Sequence, residues 1–221
     1  MATYLITGAN RGIGLEYCRQ LTARGDRAIA VCRSSSPELD QLGIQVETGV
    51  DITSEDSVQA LATRLEGTPI DVLINNAAIV ERISLDNLDF DSIRRQFEVN
   101  AIGTLRFTAA LLPNLKEGSK IIIMTSRMGS IDDNTSGGSY GYRMSKVAVS
   151  MAGKSLAIDL KPRGISVAIL HPGLVQTRMT NFTENGITTA TSVKGLLTRI
   201  DELTLEKTGN FWHSNGEILP W

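Results

Sequence analysis

The chain has 221 residues and a net charge of −2, and its 22 basic residues are scattered along the sequence. This charge excludes a strong electrostatic attraction to nucleic acid or to an anionic membrane surface. No apolar run approaches the ~20 residues that span a bilayer, and the first residues show neither a basic segment nor a cleavage pattern. We therefore expect a cytoplasmic protein with one domain over residues 1–221 and with no nucleic-acid or membrane partner.

Short apolar runs rich in β-branched residues predict six strands. In chain order they are TYLIT, RAIAVCR, IQVETGVD, DVLINN, KIIIMTS and ISVAILHPG. Most of these runs lack a clean polar and apolar alternation, which is typical of strands that are covered on both faces of a parallel sheet.

The segments between these strands predict helices over residues 11–24, about 53–66, 86–110 and 143–160. Strands and helices therefore alternate along the chain with compact connections. This order predicts an α/β fold, a single-domain Rossmann-type doubly wound parallel sheet with helices on both faces.

Two irregular segments follow predicted strands, one over residues 127–139 and one over 178–192. Ligands of open α/β sheets bind outside the carboxyl ends of the strands, so such segments indicate a site. We expect a substrate-covering loop at about 178–195, with Met179 and Phe182 as its apolar contacts.

The stretch TGANRGIG follows the first predicted strand and opens the first helix. Glycine at the first position permits a tight turn, the second lets the backbone approach a pyrophosphate, and the third allows close packing of helix and sheet. Backbone N–H groups and the helix N-terminus then hold the anion. The candidate cofactor-binding residues of this loop are Gly8, Asn10, Arg11, Gly12, Ile13 and Gly14.

The second strand ends in VCRSSSP, where an NAD-binding enzyme would carry an acidic residue for the ribose 2′-hydroxyl. Arg33 stands there instead, and no carboxylate follows until Glu38. Arginine matches the geometry of a phosphate group, and Arg11 adds a second positive charge. The pattern favours NADP(H) over NAD(H).

The cysteines and histidines do not indicate a metal site. Cys18 and Cys32 form no ligand pattern and predict reduced, buried thiols. His171 and His213 lie 42 positions apart with no acidic cluster at ligand spacing, and His171 is expected to be structural. A serine hydrolase would carry G-x-S-x-G, which is absent from the sequence.

Further motifs follow the glycine loop as an ordered series. They are Asp51 in VDIT, NNAA at 75–78, Asn100 in FEVN, Ser126, Tyr142 with Lys146 four residues on, and HPGLVQT at 171–177. With these motifs the chain resembles the short-chain dehydrogenase/reductases over residues 3–177. The stretch GGSYGYRMSK and the ending GNFWHSNGEILPW are similar to those of sniffer-like carbonyl reductases and C-factor-like proteins.

The resemblance implies further cofactor contacts. Asp51 and Ile52 are implied at the adenine and Asn75, Asn76 and Ala77 along the adenosine ribose. The nicotinamide end is implied at Pro172, Gly173, Val175 and Thr177. Two features depart from the family: Ala78 stands where glycine is usual, and Ser126 lies 16 positions before Tyr142, a stretched spacing that we assign to a surface excursion.

Two tyrosines lie two positions apart, and only one of them has a lysine at helical spacing. Only Tyr142 has a lysine at i+4, Lys146, on the same face of a helix, whereas Tyr140 has Met144 there. A nearby ammonium stabilises a phenolate and so lowers the phenol pKa from about 10. We predict Tyr142 as the general acid/base and Tyr140 as a residue on the substrate side.

The resemblance implies roles for the other catalytic residues. Ser126 hydrogen-bonds the substrate oxygen, Lys146 also binds the nicotinamide ribose, and Asn100 binds a water that relays protons through the lysine.

The predicted function is hydride transfer between NADP(H) and a small-molecule carbonyl or alcohol. The alternative is an NADP(H)-binding sensor or signalling protein with little turnover. A nucleotide-sugar epimerase would need a larger C-terminal domain, and the family leaves monomer, homodimer and homotetramer open.

Overall fold

Seven strands form one parallel sheet in the computed structural model, which describes residues 1–221. The strands are β1 (Thr3–Thr7), β2 (Arg27–Val31), β3 (Gln45–Glu47), β4 (Val72–Asn75), β5 (Lys120–Met124), β6 (Ser166–His171) and β7 (Phe211–His213). They lie in the order β3-β2-β1-β4-β5-β6-β7. The order reverses between β1 and β4, so the ligand crevice of this fold lies at the carboxyl ends of these two strands.

Helices cover both faces of the sheet. They are α1 (Gly12–Ala23), α2 (Pro37–Asp40), α3 (Glu55–Arg64), α4 (Phe90–Phe97), α5 (Thr104–Ala110), α6 (Tyr140–Leu160) and α7 (Thr189–Asp201). Residues of α3, α5 and α6 form one core with the sheet, and residues of α1 and α7 form a second core on the opposite face. The predicted doubly wound architecture is confirmed.

Alternate residues of each strand enter the two cores. In β1, Leu5 packs on the side of α3, α5 and α6, whereas Tyr4 and Ile6 pack on the side of α1 and α7. Both faces are apolar, which is why the predicted strands show no clean alternation.

The predicted helix over 86–110 is divided in the structure. A π-helical segment, Glu98–Gly103, separates α4 from α5, and Asn100 lies within it. Gly103 passes so close to Ile52 that a Cβ atom would stand 3.0 Å from the Ile52 carbonyl oxygen. Such single-turn π segments often lie at functional sites.

Other predicted boundaries change as well. The strand predicted from IQVETGVD is only Gln45–Glu47. The irregular segment predicted over 178–192 ends at Thr188, whose side chain accepts a hydrogen bond from the Thr191 amide and begins α7. Residues 189–195 of the expected covering loop are therefore helical. No helix is both long and apolar enough to cross a lipid bilayer.

Candidate active site

The glycine loop between β1 and α1 has a shape that only glycine allows. Gly8 and Gly12 adopt positive φ angles of 65° and 55°. A Cβ on Gly8 would stand 3.0 Å from Ala77 Cα, and a Cβ on Gly14 would overlap the Gly8 carbonyl oxygen. No side chain caps the N-terminus of α1, so its first amides are available to an anion. The loop thus fits a pyrophosphate.

Polar groups gather beside this loop at the end of β2. Asn10 Nδ2 donates to the Ser34 carbonyl oxygen at 2.9 Å and so ties the loop to the segment after β2. Arg11 and Arg33 are exposed, and neither forms an ion pair within the chain. The Thr53 amide lowers the pKa of Asp51 by hydrogen bonding, and the positive charge of Arg33 lowers it further. Two free guanidinium groups are therefore available for an additional phosphate.

The segment after β4 supports the glycine loop. Asn76 Nδ2 donates to the carbonyl oxygens of Thr7 at 2.9 Å and Gly8 at 3.3 Å, and the Ala77 amide donates to Thr7 Oγ1 at 3.0 Å. The Asn75 side chain is instead buried and donates to Thr108 Oγ1 at 3.0 Å. It packs α5 on the sheet, so among the three predicted ribose contacts only Asn76 and Ala77 lie at the loop.

The segment after β6 closes the other side of the glycine loop. Gly173 adopts a φ of 88°, and Thr177 Cγ2 would lie 3.6 Å from a Cβ on Gly12. Val175 is buried and bridges to Ile187, which folds the covering loop back on itself. The predicted nicotinamide segment and the predicted pyrophosphate loop therefore meet, as one dinucleotide would require.

The predicted catalytic side chains converge at the carboxyl end of β5. Helix α6 begins at Tyr140, three residues earlier than predicted, which places Tyr142 in its first turn. The Lys146 ammonium lies 5.7 Å from the centroid of the Tyr142 ring and donates to the Met124 carbonyl oxygen at 2.9 Å. Ser126 caps the short turn Arg127–Gly129, and its hydroxyl lies beside that of Tyr142.

The ionisation of Tyr142 differs from the expectation based on spacing. Burial raises its pKa to about 12, and the Ser126 hydroxyl opposes this rise only in part. Burial also lowers the pKa of Lys146 to about 8. The lowering of the Tyr142 pKa expected from Lys146 is not found; desolvation dominates, and the phenol is protonated at neutral pH.

Asn100 joins three elements through its side chain. Its Oδ1 accepts from the Ile79 amide at 2.8 Å, and its Nδ2 donates to the Ile79 carbonyl oxygen at 2.9 Å and to Ser145 Oγ at 3.0 Å. Ser145 in turn donates to the Tyr142 carbonyl oxygen at 2.8 Å. No sequence motif singles out Ser145, yet it is fully buried and connects the π-helical segment to the first turn of α6.

Tyr140 does not share the face of Tyr142. It lines a separate, mainly apolar cavity of about 200 Å³ with residues that include Met128, Ile131 and Met144. Residues two apart on a helix point about 200° apart, so this cavity lies across α6 from the Tyr142 ring. The placement of Tyr140 on the substrate side stays a prediction.

His171 and His213 end neighbouring strands and form an edge-to-face pair with ring centroids 4.9 Å apart. Burial, together with the nearby His213 and Arg127, lowers the pKa of His171 to about 3. No group of three or more His, Cys, Asp or Glu side chains converges in the structure. The pair is a neutral packing contact at neutral pH.

The family model for short chain dehydrogenases matches residues 2–187. The chain is 45% identical to 1-hydroxy-2-glutathionyl-2-methyl-3-butene dehydrogenase of Rhodococcus sp. (strain AD45), over 100% of both chains. It is 42% identical to C-signal of Myxococcus xanthus, over 74% of this chain and 100% of that protein.

Two solved structures share the whole fold. Carbonyl reductase Sniffer of D. melanogaster superposes with a TM-score of 0.94 at 30% identity, over 100% of both chains. The NADPH-bound carbonyl reductase from chicken fatty liver has a TM-score of 0.92 at 29% identity, over 100% of this chain and 99% of the other.

Proposed function

Because the chain belongs to the short chain dehydrogenase family, we propose that it is an NADP(H)-dependent carbonyl reductase. The observation that carries this proposal is the convergence of Ser126, Tyr142 and Lys146 at the carboxyl end of β5. The likeness to carbonyl reductase structures over the full chain supports the same reaction class.

The residues at the crevice fit NADP(H). The amides of Gly12, Ile13 and Gly14 would hold the pyrophosphate, and Arg33 with Arg11 would hold the 2′-phosphate. Asp51 and Ile52 would lie at the adenine, and the segment that carries Gly173, Val175 and Thr177 at the nicotinamide. The NADPH in the chicken enzyme structure supports this preference. When bound, the cofactor supplies the hydride.

The chain's own residues bind the substrate oxygen and transfer a proton to it. Ser126 Oγ donates a hydrogen bond to the carbonyl oxygen and stabilises the negative charge that develops there. Tyr142 transfers its phenolic proton to that oxygen, and the resulting phenolate lies near the Lys146 ammonium, 5.7 Å from the ring centroid. Asn100 holds the Ile79 backbone and Ser145, and through them the first turn of α6.

Burial raises the pKa of Tyr142 to about 12, so the phenol is protonated at neutral pH, which is the form that donates a proton in carbonyl reduction. The net direction depends on the concentrations of substrate and cofactor, because a catalyst accelerates both directions equally. We propose an aldehyde or ketone as the substrate at neutral pH. The Rhodococcus relative, named for an alcohol with a glutathionyl group, adds glutathione-substituted alcohols as candidates for the reverse reaction.

NADPH consumption against a panel of aldehydes, ketones, quinones and 3-oxoacyl thioesters tests this function. We expect turnover with at least one class, and reversal with NADP⁺ and the matching alcohol at higher pH. Binding of NADPH without turnover of any member would instead favour the sensor or signalling role. Ser126, Tyr142, Lys146 and Asn100 together argue against that alternative, because binding alone does not need all four.

We also propose a cytoplasmic location. Cys18 and Cys32 are buried and unpaired, which suits a reducing compartment. Fractionation of cells that express the protein would test this location.

A further inference from the structure

The last five residues of the sequence, 217–221, contact the loop that follows Ser126. We call them the tail segment. Arg127 Nη2 donates to Glu217 Oε2 at 2.7 Å. The Asp132 amide donates to the Trp221 carbonyl oxygen at 2.9 Å, and Ser130 Oγ donates to the same oxygen at 3.2 Å. Three contacts therefore join the tail segment to residues that begin directly after Ser126.

The tail segment is itself fixed to the sheet. The Leu219 amide donates to the Phe211 carbonyl oxygen and the His213 amide to the Glu217 carbonyl oxygen, both at 2.8 Å. Leu219 is buried, and the Trp221 ring lies against Phe211 with centroids 5.5 Å apart. The segment thus runs back along β7 as a rigid support.

The loop held by this support has no regular structure, and it is restrained on its other side by the Arg143 guanidinium, which donates to the Gly137 carbonyl oxygen at 3.1 Å and to Ser136 Oγ at 2.8 Å. Residues 130–139 contain no helix or strand, and Ile131 is 73% exposed. Gly137 and Gly138 both adopt positive φ angles and have open space around them. This is the excursion that stretches the spacing between Ser126 and Tyr142. Arg143 holds residues 136 and 137, whereas the tail segment holds residues 130 and 132, so motion of this nearer part would reach the short turn that Ser126 caps if the tail segment were released.

We propose that Trp221 and Glu217 are positioning residues that hold Ser126 beside the Tyr142 hydroxyl. Glu217 holds the first residue of the turn, Arg127. Trp221 holds the residues that follow the turn, Ser130 and Asp132. The kinetic part of this inference rests on the proposed reductase function, whereas the restraint of the loop does not. Small displacements of a catalytic donor reduce the rate strongly, so the support contributes to turnover.

Hydrogen–deuterium exchange and steady-state kinetics on the full chain test both parts. For Trp221→Ala we expect amide exchange at Asp132 to rise about tenfold, because its acceptor is no longer fixed. We expect kcat to fall roughly 10- to 100-fold while the KM for NADPH changes little. Trp221→Phe should keep both the amide exchange at Asp132 and kcat close to the wild-type values, since a ring against Phe211 remains.

Glu217→Gln is a milder variant that we expect to fold. It therefore tests the proposal even if Trp221→Ala fails to fold. It removes the charge that faces Arg127, and we expect it to lower kcat by about threefold to tenfold. Glu206→Gln, at an exposed glutamate outside the tail segment, is its control and should leave kcat unchanged.

A double variant separates positioning from general damage. If Trp221 acts through Ser126, Ser126→Ala combined with Trp221→Ala should lose no more kcat than Ser126→Ala alone. Additive losses, or unchanged exchange at Asp132 in Trp221→Ala, would overturn the proposal. If the wild type turns over no substrate, the reductase function fails, and the exchange at Asp132 alone decides whether the tail segment restrains the loop.

Discussion

At the scale of single residues, chemistry and position separate the two tyrosines. Tyr142 is buried beside Ser126 and Lys146, whereas Tyr140 lines the cavity across α6. Tyr142→Phe should lower kcat by roughly 100- to 10,000-fold, because a general acid contributes about this much. NADPH binding, measured by fluorescence titration, should survive. Tyr140→Phe is the matched control and should keep most activity; the reverse pattern would place the acid at Tyr140.

The proposed preference for NADP(H) also depends on single side chains. Arg33→Ala should weaken NADPH binding roughly 10- to 150-fold and leave NADH nearly unchanged, because one charge-assisted hydrogen bond is lost. In the proposed complex Arg11 shares the 2′-phosphate, so we expect an effect toward the low end of this range. Arg33→Asp should make NADH the better cofactor, since a carboxylate repels the 2′-phosphate.

Titration of both cofactors against each Arg33 variant provides the measurement. Arg27→Ala, at the opposite end of β2, is the control and should bind both cofactors as the wild type does. Equal wild-type affinities for NADPH and NADH, together with a silent Arg33→Ala, would make Arg33 an ordinary surface residue.

His171 predicts a pH dependence of stability. Its pKa is about 3 in the native state against an ordinary value of 6.5. As the pH falls below 6.5, the His171 imidazole binds a proton in the unfolded chain but not in the native state. The free energy of unfolding therefore decreases. Between pH 7 and pH 5, the wild type should lose about 2 kcal/mol more than His171→Gln. Urea unfolding at the two pH values measures this difference, and equal losses would show that the pKa of His171 is the same in the native and unfolded states.

At the scale of elements, Ser145 connects the π-helical segment to α6. Ser145→Ala removes the partner of Asn100 Nδ2 and the donor to the Tyr142 carbonyl oxygen, both within the buried interior. We expect a loss of about 1–3 kcal/mol in the free energy of unfolding. Chemical denaturation measures it, and Ser155→Ala on the exposed face of the same helix should cost little. A loss at Ser155 as large as that at Ser145 would contradict this connection.

At the scale of the whole molecule, the doubly wound architecture and the phosphate loop after the first strand follow from the sequence alone. The apolar runs predict strands because both faces of the sheet are buried, and the glycines predict the loop because it needs positive φ angles. The Tyr142 to Lys146 spacing likewise predicts one face of a helix. These features depend on residues that are close together in the chain.

Other features depend on contacts between distant residues, and no local pattern reveals them. The division of the helix over 86–110 reflects the approach of Gly103 to Ile52, about fifty positions earlier. The raised pKa of Tyr142 reflects burial by neighbours that the spacing to Lys146 does not specify. The contacts of Trp221 with the loop after Ser126 span about ninety positions. Strand β7 has only three residues and leaves little pattern in the sequence, whereas α7 does have helical spacing, with Val193, Leu196, Leu197 and Ile200 buried, and could have been predicted.

The return of the tail segment along β7 has a consequence for self-association. An edge strand with unpaired amide and carbonyl groups is a template on which another chain can add a strand. Here the outer edge of β7 is paired with residues 217–219, and the opposite edge strand, β3, has only three residues. The sheet therefore offers no long free edge to a neighbouring molecule: its growth at β7 is blocked by residues 217–219, and β3 presents only three residues.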